Sequence, residues 1–445
     1  MKPGSSISRR RFLAASASTV GAVTGSARTQ ESAPAPPRIG AGDRLHVGII
    51  GCGGMGEAHL GALLEMGATE NVAVTAVADI YETRARRFAE RVAAAGGQAQ
   101  AFSSHQALVE SADVDYVVVA TPEHSHHLVT LDALAAGKHV YCEKPLTHTI
   151  AEAQAVVEAV RRTGLKLQVG VQGMSDDSYD RACEVIRAGR IGPVVAAQIE
   201  YVRHYERHPG AMRAEIDPRS PRPADLDWEA WLKPAPARPW DPRRYHDWRC
   251  YRDYSGGIAS DLFIHRLTRL MKALGFTFPR RVAGMGGIFI WPDGRDLPDN
   301  FEMLLEYPPI EGVSPGLTVH LLGTMSNHHR YDHCIRGQDG TLVFSPHQGW
   351  DFEGWKILDP AGREVQRHVR TGGEDVGLHH RNLQAAIRHN AALNCPVELG
   401  LYGVAAVCMG NQSWFDGRMY GWDAASRKAV PIEHLTPAIP ETAPA

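Results

Sequence analysis

One glycine-rich turn constrains this chain more than any other feature. A short apolar run starts at Leu45 and breaks into GCGGMG at residues 51–56. The run predicts a buried parallel strand, and G-x-G-x-x-G between a strand and a helix is typical of a dinucleotide-binding loop. Gly51 permits the tight turn, Gly53 lets the backbone approach a pyrophosphate, and Gly56 lets the helix pack close to the strand. The sequence therefore predicts a site in which free N–H groups at the helix start bind phosphates.

A second predicted strand, Val72–Ile80, supports this site because it ends in an acid. Asp79 lies roughly 20 residues past the glycine loop, where a carboxylate accepts hydrogen bonds from an adenosine ribose. The same carboxylate would repel a 2′-phosphate, so we expect NAD as the cofactor. Three basic residues close by keep NADP as an alternative: Arg84, Arg86 and Arg87.

The first residues have the order of a twin-arginine export signal. Residues 8–13 (SRRRFL) precede an Ala-, Ser- and Thr-rich run that ends in the small residues Gly25, Ser26 and Ala27. A basic disordered tail is the alternative. We expect a signal peptide over residues 1–27 and a Pro- and Ala-rich linker over 28–43. The twin-arginine machinery would then be a partner, and the protein would be periplasmic or otherwise exported.

Charge, apolar runs and cysteine count exclude several classes of protein. The 47 Lys and Arg residues do not outnumber the 50 Asp and Glu residues, which argues against a nucleic-acid partner. Past the signal, no run approaches the ~20 apolar residues of a membrane span. The seven cysteines are odd in number and several fall in predicted helices or strands, so we expect no disulfide framework.

With 445 residues, the chain is expected to form two domains. Alternating strands and helices over residues 44–172 predict a doubly wound parallel Rossmann sheet, so the fold class is α/β. From residue 173 to 445, long strands joined by loops predict an α+β substrate and oligomerisation domain with a large, mostly antiparallel open sheet. One of those strands is predicted over Tyr331–Ser345. The Pro-rich stretch Arg207–Tyr254 is predicted to lack regular elements, and a loop of this length is usually functional or a subunit contact.

Two loops of the first domain carry chemistry at the carboxyl ends of its predicted strands. Thr121, Pro122 and His126 follow one strand, and we expect them beside the nicotinamide half of a cofactor, with no metal. Glu143 and Lys144 follow the next strand, ahead of a proline. A lysine there is ordinarily a solvated surface charge, but beside a cofactor cleft it can hydrogen-bond a substrate oxygen.

In the second domain, Asp261 and His265 are four residues apart at the start of a predicted helix and share one face. Histidine is well suited to accept a hydroxyl proton near neutral pH, and a carboxylate can orient it. The alternative is an ordinary surface pair or helix cap. Upstream, an aromatic and arginine-rich stretch has two open interpretations, a packed arm at a subunit interface or the lining of a sugar pocket. The candidate pocket residues are Tyr245, Trp248, Arg249, Tyr251 and Tyr254.

Together these motifs resemble the glucose-fructose oxidoreductase and inositol dehydrogenase family, called Gfo/Idh/MocA. The resemblance rests on GCGGMG at 51–56, the Asp79 strand, ATPEHSHH at 120–127, AGKHVYCEKPL at 136–146 and GGIASDLFIH at 256–265. It implies cofactor contacts from the glycine loop and the strand ends: Gly51, Gly53, Gly54, Met55, Gly56, Asp79, Thr121, Pro122, His126, Glu143 and Lys144.

The resemblance also implies roles for three catalytic residues. Lys144 would hold the substrate hydroxyl and assist proton transfer, His265 would act as acid and base, and Asp261 would bind substrate and orient the histidine. The implied C-terminal sheet is often used for oligomerisation, so we expect a homo-oligomer. Thr268 and Phe263 depart from the family pattern, where another acid and a glycine are common.

The expected activity is hydride transfer between a sugar or glycoside hydroxyl carbon and NAD or NADP. An exported enzyme meets no obvious nicotinamide pool, so we expect tight retention of the cofactor. Two alternatives stay open. One is an NAD-dependent glycoside hydrolase acting by transient oxidation and elimination, and the other is a sugar-binding protein without turnover.

Overall fold

The computed structural model describes residues 40–432, except 41, 68, 111–112, 205–215 and 346–350. The predicted signal peptide and most of the linker lie outside the described residues.

The first domain contains a six-stranded parallel sheet. Its strands are β1 (Leu45–Ile50), β2 (Val72–Ala78), β3 (Gln100–Phe102), β4 (Tyr116–Val119), β5 (His139–Glu143) and β6 (Leu167–Gly170). Its helices are α1 (Gly54–Gly67), α2 (Glu82–Ala94), α3 (His105–Val109), α4 (His126–Ala135) and α5 (Ile150–Thr163). The strand order β3-β2-β1-β4-β5-β6 is that of a doubly wound sheet, which confirms the predicted Rossmann fold.

The central strands of this sheet are continuous apolar runs because helices cover both of its faces. All four residues of β4 and all five of β5 are buried, including Glu143 at the end of β5. The short strand β3 and helix α3 were not predicted. β3 is three residues long and mostly exposed, so it has no hydrophobic pattern to detect.

The second domain is built on a ten-stranded sheet. Its strands are β7 (Val194–Val202), β8 (Arg281–Gly287), β9 (Asn300–Tyr307), β10 (Leu317–Thr324), β11 (His333–Gly337), β12 (Thr341–Phe344), β13 (Gly354–Leu358), β14 (Glu364–Val369), β15 (Tyr420–Asp423) and β16 (Lys428–Pro431). The order is β14-β13-β12-β11-β7-β10-β9-β8-β15-β16. β7 and β10 run parallel and the other neighbours antiparallel, which confirms the predicted mostly antiparallel sheet.

Helices cover one face of this sheet. The domain contains α6 (Asp177–Arg187), α7 (Trp228–Leu232), α8 (Pro242–His246), α9 (Ile264–Leu274), α10 (Val376–His389) and α11 (Val397–Asp416). α6, α9 and α11 form one hydrophobic core with the sheet, and α11 also contacts α5 of the first domain. The opposite face is open to solvent: Met285 is 74% exposed and Leu304 is 52% exposed.

Two predictions about this domain were wrong in detail. The single strand predicted over Tyr331–Ser345 is a hairpin of β11 and β12, which turns at Gly340. The stretch expected to lack regular elements contains α7 and α8. Asp227 and Asp241 cap these helices through their side chains, and each helix spans only five residues, too few for a recognisable period. Among the described residues, no helix is long and apolar enough to cross a membrane.

Candidate active site

A cavity of about 880 Å³ lies at the carboxyl ends of the parallel strands, between the two domains. Nearly all predicted site residues line it: Gly51, Gly53, Gly54, Met55, Asp79, Thr121, Pro122, His126, Glu143, Lys144, Tyr245, Trp248, Arg249, Asp261 and His265. Three do not. Gly56 lies behind the loop, and Tyr251 and Tyr254 are buried elsewhere. The cavity is large enough for a dinucleotide and a small substrate.

The glycine loop has the shape that a pyrophosphate requires. Gly51 has φ of +97°, in the left-handed region that favours glycine. A Cβ on Gly56 would lie 2.1 Å from the Gly51 carbonyl oxygen, so only glycine allows this contact between helix and loop. Gly53 and Gly54 face open space, where α1 begins with free N–H groups. These residues therefore fit a bound dinucleotide.

Asp79 supports the loop as well as lining the cavity. Its carboxylate accepts hydrogen bonds from the backbone N–H groups of Cys52 (2.7 Å) and Tyr81 (2.8 Å). Burial raises the pKa of Asp79, against the opposing effect of these donors and of Arg84. Arg84 also lines the cavity, whereas Arg86 lies 3.6 Å from Asp225.

Lys144 and Asp261 meet across the cavity. The Lys144 Nζ donates to Asp261 Oδ1 (2.7 Å) and to the Asp261 carbonyl oxygen (2.8 Å). Arg249 Nε donates to the same Oδ1 (3.0 Å). Although burial opposes it, the charges of Arg249 and Lys144 hold the pKa of Asp261 well below its usual range. The carboxylate is therefore ionised and shared by two cations. The Lys144–Pro145 peptide bond is cis.

His265 lies in the same cavity but does not bond to Asp261 as expected. Its Nδ1 is buried without a hydrogen-bond partner among the described residues. Burial, followed by the charge of Lys144, lowers the pKa of His265 to about 3, so the imidazole is neutral. Asp261 belongs to a π-helical turn, Ala259–Phe263, and the α-helical spacing assumed from the sequence does not hold across it.

Glu143 ends a row of buried polar side chains that sequence reasoning missed. His59 Nε2 lies 3.0 Å from Glu143 Oε1, and His59 Nδ1 lies 2.9 Å from His380 Nε2. His380 Nδ1 lies 3.4 Å from the Tyr116 hydroxyl, which accepts from Gln384 at 3.4 Å. Burial lowers the pKa of His380 well below its usual value, so this ring is neutral.

One proton arrangement satisfies the whole row. An ionised Glu143 requires His59 to donate through Nε2, which makes Nδ1 the acceptor of the His380 N–H. His380 then accepts from the Tyr116 hydroxyl. Burial alone would raise the pKa of Glu143, but the hydrogen bond from His59 and the charge of Lys144 lower it. All donors point toward Glu143, so the row stabilises its negative charge.

Glu123 connects the first domain to the turn before α9. This carboxylate is 1% exposed and accepts from the hydroxyls of Ser255 (2.9 Å) and Ser260 (2.8 Å) and from Gly256 N–H (3.2 Å). His148 Nδ1 is 3.1 Å from it, and His148 Nε2 is 3.0 Å from the Arg252 carbonyl oxygen. Both ring nitrogens face acceptors, so the ring is an imidazolium. Glu123 lies inside the 120–127 motif, where only Thr121, Pro122 and His126 were predicted to contact the cofactor.

His126 joins the two loops that were expected to contact the cofactor. Its Nδ1 lies 2.8 Å from the Pro145 carbonyl oxygen and its Nε2 2.9 Å from that of Thr121. Burial lowers the pKa of this histidine, against those two hydrogen bonds. Among the described residues, no cluster of three or more histidine, cysteine or acidic side chains is arranged to hold a metal.

The aromatic stretch forms a wall of the cavity and packs within its own chain. Tyr245, Trp248 and Arg249 line the cavity. Tyr254 is fully buried, with its ring 5.0 Å from that of His124 and 4.8 Å from that of Trp231, so the pocket role predicted for it is wrong. Tyr251 belongs to the same buried cluster and does not line the cavity either.

The two departures from the family pattern point away from the cavity. Phe263 is fully buried in the core of the second domain and stacks on Phe301, with ring centres 6.3 Å apart. Thr268 is buried and donates to the Ile264 carbonyl oxygen (2.7 Å). These substitutions therefore affect the packing of α9 and leave the cavity wall unchanged.

Replacing His148 by Gln should make the stability of the protein less dependent on pH. Burial alone would lower the pKa of His148, but Glu123 raises it above the ordinary value. The stabilising effect is therefore complete below about pH 6.5 and is lost as pH rises through the higher folded-state pKa. We expect the variant to be less stable by about 1–3 kcal/mol in mild acid, with a smaller difference in alkali. Thermal unfolding over a pH series measures this.

The exposed His389 provides a control for the loss of one histidine. His389→Gln should unfold like the unsubstituted protein at every pH. A destabilisation by His148→Gln that is constant with pH would contradict a protonated His148 on Glu123.

Replacing His380 by Phe should weaken dinucleotide binding through Glu143. The change removes the donor to His59 and leaves a buried acceptor unpaired, so the pKa of Glu143 should rise. We expect the affinity for the oxidised dinucleotide to fall several-fold. As pH is lowered, this affinity should begin to decline at a higher pH than in the unsubstituted protein. Titration calorimetry over a pH series measures both effects. Gln384→Leu, which leaves the Tyr116–His380–His59 bonds in place, is the matched control. An equal loss of affinity in both variants would show that the hydrogen bonds running from Tyr116 through His380 and His59 to Glu143 are not the cause.

Two family models match consecutive parts of the chain. One describes the NAD-binding Rossmann fold of an oxidoreductase family, GFO_IDH_MocA, and matches residues 45–171. The other describes the C-terminal alpha/beta domain of that family and matches residues 184–277.

Curated relatives agree with this assignment. Inositol 2-dehydrogenase of Salmonella typhimurium is 33% identical over 162 residues, which are 36% of this chain and 46% of the relative. Inositol 2-dehydrogenase 2 of Saccharopolyspora erythraea is 36% identical over 189 residues, 42% of this chain and 53% of the relative. The chain thus matches about half the length of these relatives.

Solved structures share the fold. The WlbA dehydrogenase from Bordetella pertussis, in complex with NADH and UDP-GlcNAcA, is 18% identical with a TM-score of 0.61, covering 85% of this chain and 99% of that one. An oxidoreductase from Thermotoga maritima is 20% identical with a TM-score of 0.61, covering 83% and 97%. The two models match the chain in order over residues 45–171 and 184–277, so these parts of the chain belong to the Gfo/Idh/MocA family of oxidoreductases.

Proposed function

We propose that this protein is an NAD(P)-dependent dehydrogenase that transfers a hydride between a sugar or polyol hydroxyl carbon and the nicotinamide. One observation carries the proposal: Lys144 and a neutral His265 line the same cavity as the glycine loop. The relatives named inositol 2-dehydrogenase support a polyol or sugar as the substrate.

The reaction requires a proton to leave the hydroxyl oxygen as a hydride leaves its carbon. Lys144 donates a hydrogen bond to that oxygen and stabilises the developing alkoxide with its charge. His265 is neutral, its buried Nδ1 has no hydrogen-bond partner among the described residues, and it accepts the proton. When bound, the nicotinamide supplies the hydride acceptor. Asp261 orients Lys144 and Arg249, and the cavity walls exclude water from the reacting groups.

Replacing His265 by Asn should lower kcat by about a hundredfold to ten-thousandfold and leave cofactor binding intact. Nicotinamide absorbance, followed with a panel of sugars and polyols, measures turnover, and fluorescence titration measures cofactor binding. Unchanged turnover in the variant would remove His265 from the mechanism. Free sugar released from a glycoside without a net absorbance change would support the hydrolytic alternative. Binding of sugars with neither outcome would indicate a protein without turnover.

We further propose that the protein is exported by its twin-arginine signal, retains its cofactor tightly and forms a homo-oligomer through the exposed face of the second sheet. Exposed apolar residues such as Met285 support such an interface. Changing Arg9 and Arg10 to Lys should keep the protein in the cytoplasmic fraction.

A native mass spectrum of the purified protein should show more than one subunit and a retained nucleotide. A monomer without bound nucleotide would contradict the proposed tight retention of the cofactor and the proposed homo-oligomer.

A further inference from the structure

We propose that the substrate carries an anionic group, a carboxylate or a phosphate, and that Arg203 binds it. This inference rests on the proposed function and names the class of its substrate as acidic sugars. Arg203 follows β7 and lines the cavity together with Lys144, Asp261 and His265. It therefore lies on the wall that faces the substrate.

Arg203 has no ion pair among the described residues. Its backbone N–H donates to the Thr324 carbonyl oxygen (2.9 Å), and its guanidinium carbon lies 5.4 Å from the centre of the Tyr201 ring. Within the described part of the chain, its Nε is buried without a hydrogen-bond partner. A buried donor that is left unpaired costs free energy, and a ligand that pairs with it recovers that cost.

Three other cations that line the cavity are already paired. Lys144 and Arg249 share the Asp261 carboxylate. Arg295 forms two hydrogen bonds with Asp293, at 2.9 and 2.6 Å. Of these four cations, Arg203 is the one without a carboxylate partner among the described residues.

The nearby acids are committed to other partners. Glu200 on β7, three residues before Arg203, accepts a hydrogen bond from Arg266 (2.7 Å) and lies 3.4 Å from Arg330. Glu143 accepts from His59 and Gln172. Asp261 carries a single negative charge between two cations. This end of the cavity therefore has an excess of positive charge that an anionic substrate would neutralise.

A guanidinium has the planar fork that matches carboxylate and phosphate oxygens with two parallel hydrogen bonds. The Tyr201 ring beneath it restricts its orientation. A neutral polyol can accept a hydrogen bond from Arg203 but cannot balance its charge. The geometry therefore favours a sugar acid or a sugar phosphate over a neutral sugar.

Pairs of substrates that differ only in the charged group test this proposal. The full-length protein, loaded with NAD, is assayed with glucose, glucuronate and glucose 6-phosphate for kcat/KM and, by calorimetry, for binding. We expect at least one acidic sugar to exceed glucose by about tenfold or more in both measures. Arg203→Gln should bring that ratio close to one, and Arg203→Lys should retain part of it. Arg330→Gln is the control, because it removes an arginine that contacts Glu200 and does not line the cavity. This variant should keep the acid-to-glucose ratio of the unsubstituted protein.

Each outcome separates this proposal from the proposed function. Glucose used as well as both acids, or an acid preference that Arg203→Gln leaves intact, would overturn the role of Arg203 and leave the dehydrogenase standing. Acid-selective binding that requires Arg203 but gives no change in nicotinamide absorbance would support Arg203 and contradict the dehydrogenase. Neither binding nor turnover of any of the three would overturn both. Which acid is preferred decides between carboxylate and phosphate.

Discussion

The contact between Lys144 and Asp261 is the interaction on which the rest of the site depends. Lys144 directly follows the parallel strand β5, whereas Asp261 lies 117 residues further along, in the turn that leads into α9. The side chains are only 11% and 16% exposed, so water and salt screen their attraction little. Removing one partner would leave an uncompensated buried charge. The contact therefore connects the two domains at the point where the chemistry is proposed to occur.

Two other buried carboxylates extend this connection. Glu123 and Glu143 both lie at carboxyl ends of parallel strands, and a carboxylate in such a place is costly unless donors surround it. Ser255, Gly256 and Ser260 supply donors to the first from the turn before α9. A row of neutral side chains that includes His59 supplies them to the second. The cleft is thus held by hydrogen bonds to buried charges as well as by apolar packing. Because hydrogen bonds are directional, they fix how the walls of the cleft are oriented.

The charges of the cavity divide along its length. At the end formed by the glycine loop, Asp79 accepts a hydrogen bond from the Cys52 N–H of the loop and leaves the adjacent helix start open for phosphates. At the other end, cations outnumber the acids available to them. This polarity suits a dinucleotide whose phosphates lie on α1 and a reacting group close to Lys144 and His265.

Local patterns in the sequence determined the glycine loop, the parallel sheet and the motifs that carry Lys144, Asp261 and His265. They could do so because strand and helix periods, glycine spacing and strand-end chemistry are properties of short segments. Only the tertiary structure decided which partners these groups have: Asp261 pairs with Lys144 and Arg249 instead of His265, Tyr254 is part of a buried aromatic cluster, and Glu123 holds the turn before α9. The distances and burial that set those partners arise between segments far apart in the chain, where no local pattern records them.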